Sequence, residues 1–168
     1  MNGITSTKIT NFALEEISYP HLQLQLNANI TVVIPMQYAQ EVINVSSRRI
    51  TPMPNMPDCI LGLLNQRSHI FWVADLAQML KMQPVDRNLQ QYHLVIIRVK
   101  DIPLGLIVSQ IKGTIRLKLE EIQSPKGKVV PSLEPYLQGY CKQQDKNILV
   151  LNPETVVNAS ILHSGANW

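Results

Sequence analysis

The sequence is poor in most of what would make a function easy to read. Charged residues are only 16% of the 168 residues, against 45% hydrophobic ones, a balance that excludes a disordered chain. The net charge is +3, too small for counterion release to dominate binding. There are two cysteines, Cys59 and Cys141, far apart and in no partner motif, so they read as reduced thiols. The seven glycines are scattered singly and build no phosphate-cradling loop. The longest apolar run, Ile70 to Ala74, is far short of the roughly 20 residues that cross a bilayer. Met1 to Ala13 has no apolar core, so neither membrane insertion nor a signal peptide is expected.

Polar groups do not converge either. His21, His69, His93 and His163 have no Cys or carboxylate at metal-ligand spacing. His21 and His93 fall in strand patterns and are expected to be solvated. Ser109 and Ser132 lie in no nucleophile elbow, and Glu120-Glu121 reads as a solvated pair. The expectation is a chain that is not an enzyme, holds no cofactor or metal, and has no ligand-sized polar pocket.

Proline is plentiful by contrast. Eleven prolines break the chain often, which suits many short strands better than long helices. Leu22, Leu24 and Leu26 alternate with polar neighbours as a half-buried strand, and the β-branched run Ile30–Ile34 returns beside it. Pro35 ends that strand, one helical turn follows over 36–40, and Val42 and Asn44 start a short third strand. Residues 51–57 form an extended, proline-rich connector. Ile60–Leu64 and Ile70–Ala74 flank a polar tip as a hairpin. Asp75 and Gln78 have capping-box spacing for a helix to about Met82.

Tyr92–Val99 and Leu104–Ser109 are strands around a tight turn at Lys100-Asp101. Ile111, Ile115, Leu117 and Leu119 alternate with Lys112, Arg116 and Lys118, a strand with one basic face. Residues 123–132 read as an exposed loop. Leu137–Lys142 and Ile148–Leu151 make a last hairpin, and Asn152-Pro153 caps a helix to about Ile161. Residues 1–13 are expected as a loose tail, 14–162 as one domain, and 163–168 as a frayed end. About ten short strands at this spacing point to an all-β barrel or sandwich.

The segment Ile60–Leu76 then becomes specific. Ile-Leu-Gly-Leu-Leu-Asn-Gln-Arg, followed by Ile-Phe-Trp-Val-Ala-Asp-Leu, resembles the signature of CheW-like coupling proteins: a Gly, then Asn-Leu-Arg-Gly, an apolar strand and Asp-Leu. Gly62, Asn65, Arg67, Asp75 and Leu76 fall on the motif positions. Ile34–Val42 resembles the family segment ending in Val-Gln-Glu-Ile, Leu104–Val108 the Gly-Ile-Val-Val strand, and Leu149–Asn152 the closing strand. The resemblance covers roughly His21 to Ser160. The family's Leu before the Arg is Gln66 here, and its Asp after the Gly-Ile-Val-Val strand is Ser109. The family's Gly after the Arg is Ser68. A left-handed Ser would cost about 1 kcal/mol, so a differently built turn is expected. Trp72 replaces a usual Pro, implying a better-paired strand or a large surface anchor.

What the resemblance implies is a mostly β fold of two linked five-stranded SH3-like barrels with a few short helices and a shared apolar seam. Leu61, Leu63 and Leu106 are expected in that seam. It implies an adaptor that binds the regulatory domain of a CheA-type histidine kinase and the cytoplasmic tip of a methyl-accepting chemoreceptor. The pathway would be chemotaxis, phototaxis or twitching motility, and the location cytoplasmic, at receptor arrays. Arg67 is then a partner contact at a hairpin tip, the alternatives being a solvated tip arginine or one paired locally to shape the loop. Asn65 shapes the turn through its own backbone bonds or touches a partner. Gly62 allows close backbone approach to the other barrel or to a receptor helix. Glu41 pairs with a basic residue of the kinase or is a solvated strand end. Ala39 and Val42 present an apolar patch or are core. A different reading stays open: a small barrel binding single-stranded nucleic acid through the Lys112–Lys118 face, although no aromatics interleave with those charges.

Overall fold

The computed structural model describes residues 17–159 and residue 162. Residues 1–13, expected as a tail, and 163–168, expected to fray, lie outside the described residues. Eleven strands run in the order β1 (Tyr19–Gln25), β2 (Thr31–Pro35), β3 (Ala39–Ser46), β4 (Ile50–Thr51), β5 (Ile60–Gln66), β6 (His69–Asp75), β7 (Gln91–Val99), β8 (Ile102–Val108), β9 (Gln110–Leu117), β10 (Leu137–Gln143) and β11 (Lys146–Leu151). Among the described residues two short helices, α1 (Leu76–Met79) and α2 (Pro153–Val157), and a few 3-10 turns accompany the strands. Both helices stop earlier than the expected Met82 and Ile161. Their N-caps are as read: Asp75 accepts from the Gln78 N–H at 3.3 Å and Asn152 from the Glu154 N–H at 3.1 Å.

The strands form two sheets. One has five strands in the order β10-β11-β2-β1-β9, the other six in the order β3-β7-β8-β6-β5-β4. Each closes on itself through its own chain. β3 and β4 sit at opposite edges of the six-stranded sheet, yet only the 3-10 turn Ser47–Arg49 separates them, so the sheet must curl to bring its edges together. In the five-stranded sheet the chain leaving the edge strand β9 reaches Gln123, which exchanges two backbone hydrogen bonds with Tyr140 on the opposite edge strand β10, at 2.8 and 3.0 Å. Closure removes the exposed edges that would template aggregation. The expected pair of SH3-like barrels is therefore present, with β4 as a two-residue sixth strand in one of them.

Three apolar clusters are formed by the described residues. Phe71, Leu94 and Ile107 lie inside the six-stranded barrel, and Val33, Leu117 and Val150 inside the five-stranded one. The largest lies between them and draws Leu22, Leu24, Val32 and Ile34 from one barrel and Ile60, Ala74, Val95 and Leu106 from the other. This seam contains Leu106 as expected. A β-bulge between Ile60 and Gly62 turns Leu61 toward the six-stranded barrel's own core, and Leu63 is half-buried outside all three clusters. The expectation for those two leucines is thus corrected.

Pairing also corrects two readings of β1 and β9. His21 is buried, not solvated, because it lies on the β1 face opposite Leu22 and Leu24; its Nδ1 is 2.9 Å from the Tyr19 carbonyl. His93 is exposed as expected, with Nδ1 2.7 Å from Asn44 Oδ1. A second bulge, opposite the Gln23/Leu24 step, interrupts β9 at Lys112-Gly113. Lys112 is displaced from the row holding Arg116, whose guanidinium bonds Ser18 Oγ at 2.8 Å and the Ser18 carbonyl at 2.6 Å. The single basic face read from alternation does not exist.

Two predictions follow from this packing. Leu106 is 1% exposed at the seam, so Leu106→Ala is expected to cost about 2–5 kcal/mol in denaturant unfolding. A change within error would mean the seam collapses freely around the cavity. Cys59 and Cys141 are buried and unpaired. Burial first, then the Asp75 carboxylate for Cys59 and the Glu121 carboxylate for Cys141, raise both thiols above their ordinary 9.0. Neither should react with a thiol reagent at pH 8 until the protein unfolds. The unfolded chain releases these protons first, so stability is expected to fall as pH rises past about 9. Prompt labelling of the native protein would contradict this.

Candidate functional site at the mouth of the six-stranded barrel

The β5–β6 hairpin is built on a two-residue turn, Arg67-Ser68, with φ of 52° and 67°. Two successive left-handed residues match the right-handed twist of the flanking strands, which is why such turns connect two-residue hairpins. The expectation of a differently built turn at Ser68 is therefore wrong: Ser68 accepts the strained conformation where the family has Gly. Strand pairing from Gln66↔His69 to Ile60↔Ala74 supports it. Arg49 anchors the base, donating from Nη2 to the Asn65 carbonyl and to Gln66 Oε1, both at 2.8 Å. Asn65 is a strand residue paired with Ile70, and the turn it was expected to shape is made by the two residues after Gln66.

This geometry carries Arg67 over the end of the barrel, where its Nη2 lies 3.3 Å from Glu41 Oε1 on β3. The ion pair spans a crevice of about 240 Å³ with Phe71 and Ile96 from the barrel core in its wall. Arg98 closes one side by donating from Nε to Gln40 Oε1 at 3.1 Å. The Arg67 side chain is 77% exposed and the Glu41 side chain 23%. Glu41 is therefore the fixed partner and Arg67 the accessible one, with most of its donor fork facing solvent.

Of the residues singled out from sequence, Glu41, Arg67 and Asn65 share this end of the barrel. Val42 follows Glu41 on β3 and is 46% exposed, whereas Ala39 is half-buried against the seam. Gly62 is buried. A Cβ there would collide with the Thr51 carbonyl, and its φ of +149° disfavours any side chain. The backbone approach it permits is to β4 of its own barrel. Asp75, the motif's acidic residue, is wholly buried. Beyond its cap it accepts from the Val85 N–H at 2.7 Å and faces Arg87 at 3.9 Å. Arg87 in turn donates to Gln78 Oε1 at 2.8 Å and to the Asp58 carbonyl at 3.1 Å, so Asp75 pins the polar 83–90 loop.

Sequence reading missed Arg49, Gln40 and Arg98. All three act across strands that are distant in the chain. The one available signal was the Arg48-Arg49 pair, which lies in the 3-10 turn after β3.

The exposure of Arg67 limits what the ion pair adds to folding. A double-mutant cycle over Arg67→Ala and Glu41→Ala should give a coupling in unfolding free energy below about 1 kcal/mol, further reduced by salt. A larger, salt-insensitive coupling would make the pair a structural clasp.

A comparison with family models matches the CheW-like domain over residues 22–160. Comparison with curated proteins gives no match. Among solved structures, the chain is similar to the scaffolding protein TtCheW from Thermoanaerobacter tengcongensis, with a TM-score of 0.71 at 23% identity, covering 81% of this chain and 90% of that one. That likeness supports the fold: two closed barrels joined by one seam. The family match spans both barrels, the Arg67 hairpin and Glu41, and the chain belongs to the CheW-like domain family.

Proposed function

We propose that this protein is a non-enzymatic signalling adaptor that couples the cytoplasmic tip of a methyl-accepting chemoreceptor to the regulatory domain of a CheA-type histidine kinase. It would work in the cytoplasm at receptor arrays, in a chemotaxis, phototaxis or twitching-motility pathway. Family membership supports the adaptor class, and the relative of similar fold is itself described as a scaffolding protein.

The observation that carries the reading is the Arg67–Glu41 ion pair. It joins two motif segments at one accessible barrel mouth, beside the exposed Val42. A guanidinium held by a half-buried carboxylate has lost part of its rotamer freedom before a partner arrives, which lowers the cost of binding. Its remaining donors suit a carboxylate or carbonyl of a partner. Asn65 and Val42 would add polar and apolar contact at the rim. Ala39 and Gly62 belong to the same proposed surface through the strands they position. The nucleic-acid reading draws no support from geometry, since Lys112 and Arg116 diverge and Arg116 is bound to Ser18.

Arg67→Ala and Arg67→Glu are expected to leave the melting temperature nearly unchanged while weakening binding to the kinase regulatory domain or to a receptor tip fragment. Truncation should cost about 1.5–3 kcal/mol of affinity, and charge reversal more, because it adds repulsion. A folded Arg67→Glu protein that keeps wild-type affinity for both partners would end the proposal that this mouth is the binding surface.

A further inference from the structure

The five-stranded barrel has a mouth of its own, and it is polar. A cavity of about 710 Å³ is lined by Gln23 and Gln25 of β1, Lys112 of β9, and Gln143, Lys146 and Asn147 around the β10–β11 turn. This overturns the expectation of no ligand-sized polar pocket. Ile148 of the barrel's interior cluster, and Ile115 packed against it, form the apolar part of the same wall. Its volume falls in the range of small-molecule sites, and barrel mouths are among their recurring places.

Three observations point to an anion. First, the β9 bulge places Lys112 in this wall beside Gln23, out of the alternation that sends Arg116 to Ser18. Bulges commonly re-aim a side chain next to a site. Second, among the described residues neither Lys112 nor Lys146 has an ion pair and no carboxylate lines the cavity; Asp145, in the adjacent turn, stays outside it. Third, Gln23 and Gln143 are half-buried, and their side-chain amides have no hydrogen-bond partner among the described residues. Two unneutralised ammonium groups with amides around them offer charge to an oxyanion and donors and acceptors to hydroxyls. No aromatic side chain among the described residues lines the cavity, so stacked nucleobases are disfavoured.

We infer that the mouth of the five-stranded barrel binds a small phosphate monoester, with Lys112 and Lys146 holding the phosphate and the glutamine and asparagine amides reading its hydroxyls. The site is on the other barrel from Arg67 and stands independently of the adaptor reading.

Titration with inorganic phosphate and with glycerol 3-phosphate, followed by amide chemical shifts, tests it. Both should saturate, glycerol 3-phosphate more tightly, with shifts confined to β1, the β9 bulge and the β10–β11 turn. Lys112→Gln and Lys146→Gln should each weaken binding roughly tenfold, whereas Lys126→Gln, which removes the same charge elsewhere, should not. Absence of saturable shifts, or an equal loss in Lys126→Gln, would overturn the inference. So would binding only to phosphatidic acid vesicles, which would place the phosphate on a lipid surface, or only to a single-stranded oligonucleotide with a steep salt slope.

Discussion

The structure depends on a seam of apolar side chains that neither barrel owns. A barrel of about 70 residues has a small core and is only marginally stable by itself. Here the outward faces of several strands become interior. On β2, Val32 and Ile34 enter the seam while Val33 enters the barrel between them, and all three are fully or nearly fully buried. On β8, Leu106 and Val108 go to the seam and Ile107 to the six-stranded barrel. Strands with two dry faces read as unbroken apolar runs, not as alternation. The same demand fixes chain order. The five-stranded barrel takes its first two strands from the start of the chain and its last three from the end, so the six-stranded barrel is inserted between them. The two barrels are therefore laced together by connectivity as well as by packing.

Each barrel is closed where a glycine lets one backbone press on another. At Gly62 the place a Cβ would occupy is taken by the Thr51 carbonyl; at Gly139 it is taken by the Gln123 carbonyl. Thr51 and Gln123 are the segments that return each sheet to its own edge. The motif glycine thus has a complete structural explanation within its own barrel. It keeps β4 against β5, and β4 brings with it Arg49, which holds the base of the Arg67 hairpin. A side chain at position 62 would be felt at the tip through this chain of contacts.

What was legible in the sequence was local. The leucine alternation of β1, the β-branched run of β2, the N-caps at Asp75 and Asn152, and the hairpin around Arg67 follow from neighbours in the chain. What was illegible depended on pairing across long separations. Alternation puts His21 on the opposite face from Leu22, but only the second barrel interior makes that face dry. The bulge at Lys112 exists because Leu24 must meet Ile111 in the seam while Gln23 meets Gly113, a register set by residues some ninety positions away. Glu41 and Arg67 were each readable as motif positions, but their ion pair comes from curling a six-stranded sheet. No spacing rule along the chain reports that curl.

The two barrel mouths show how one architecture separates two chemistries. Both are ends of small barrels with apolar floors, Phe71 and Ile96 in one, Ile115 and Ile148 in the other. At the first, Glu41 answers Arg67 while Arg98 donates only to the neutral Gln40 amide, so the mouth keeps a net positive charge and the accessible group is a guanidinium fork suited to a shaped, partly acidic protein surface. At the second, no acid among the described residues answers Lys112 or Lys146, and the surrounding polar groups are mostly amides. Ammonium groups act as compact point charges and make no bidentate fork, which suits a small oxyanion better than a protein surface. The seam keeps the two mouths on separate barrels within one packed unit. A ligand filling the second mouth would contact β1 and β9, whose opposite faces form the seam through Leu24 and Ile111. Coupling between the mouths has two routes, that apolar layer and the chain itself, as at Ser109, which joins β8 to β9 and donates its N–H to the Gln25 carbonyl of β1 at 2.9 Å.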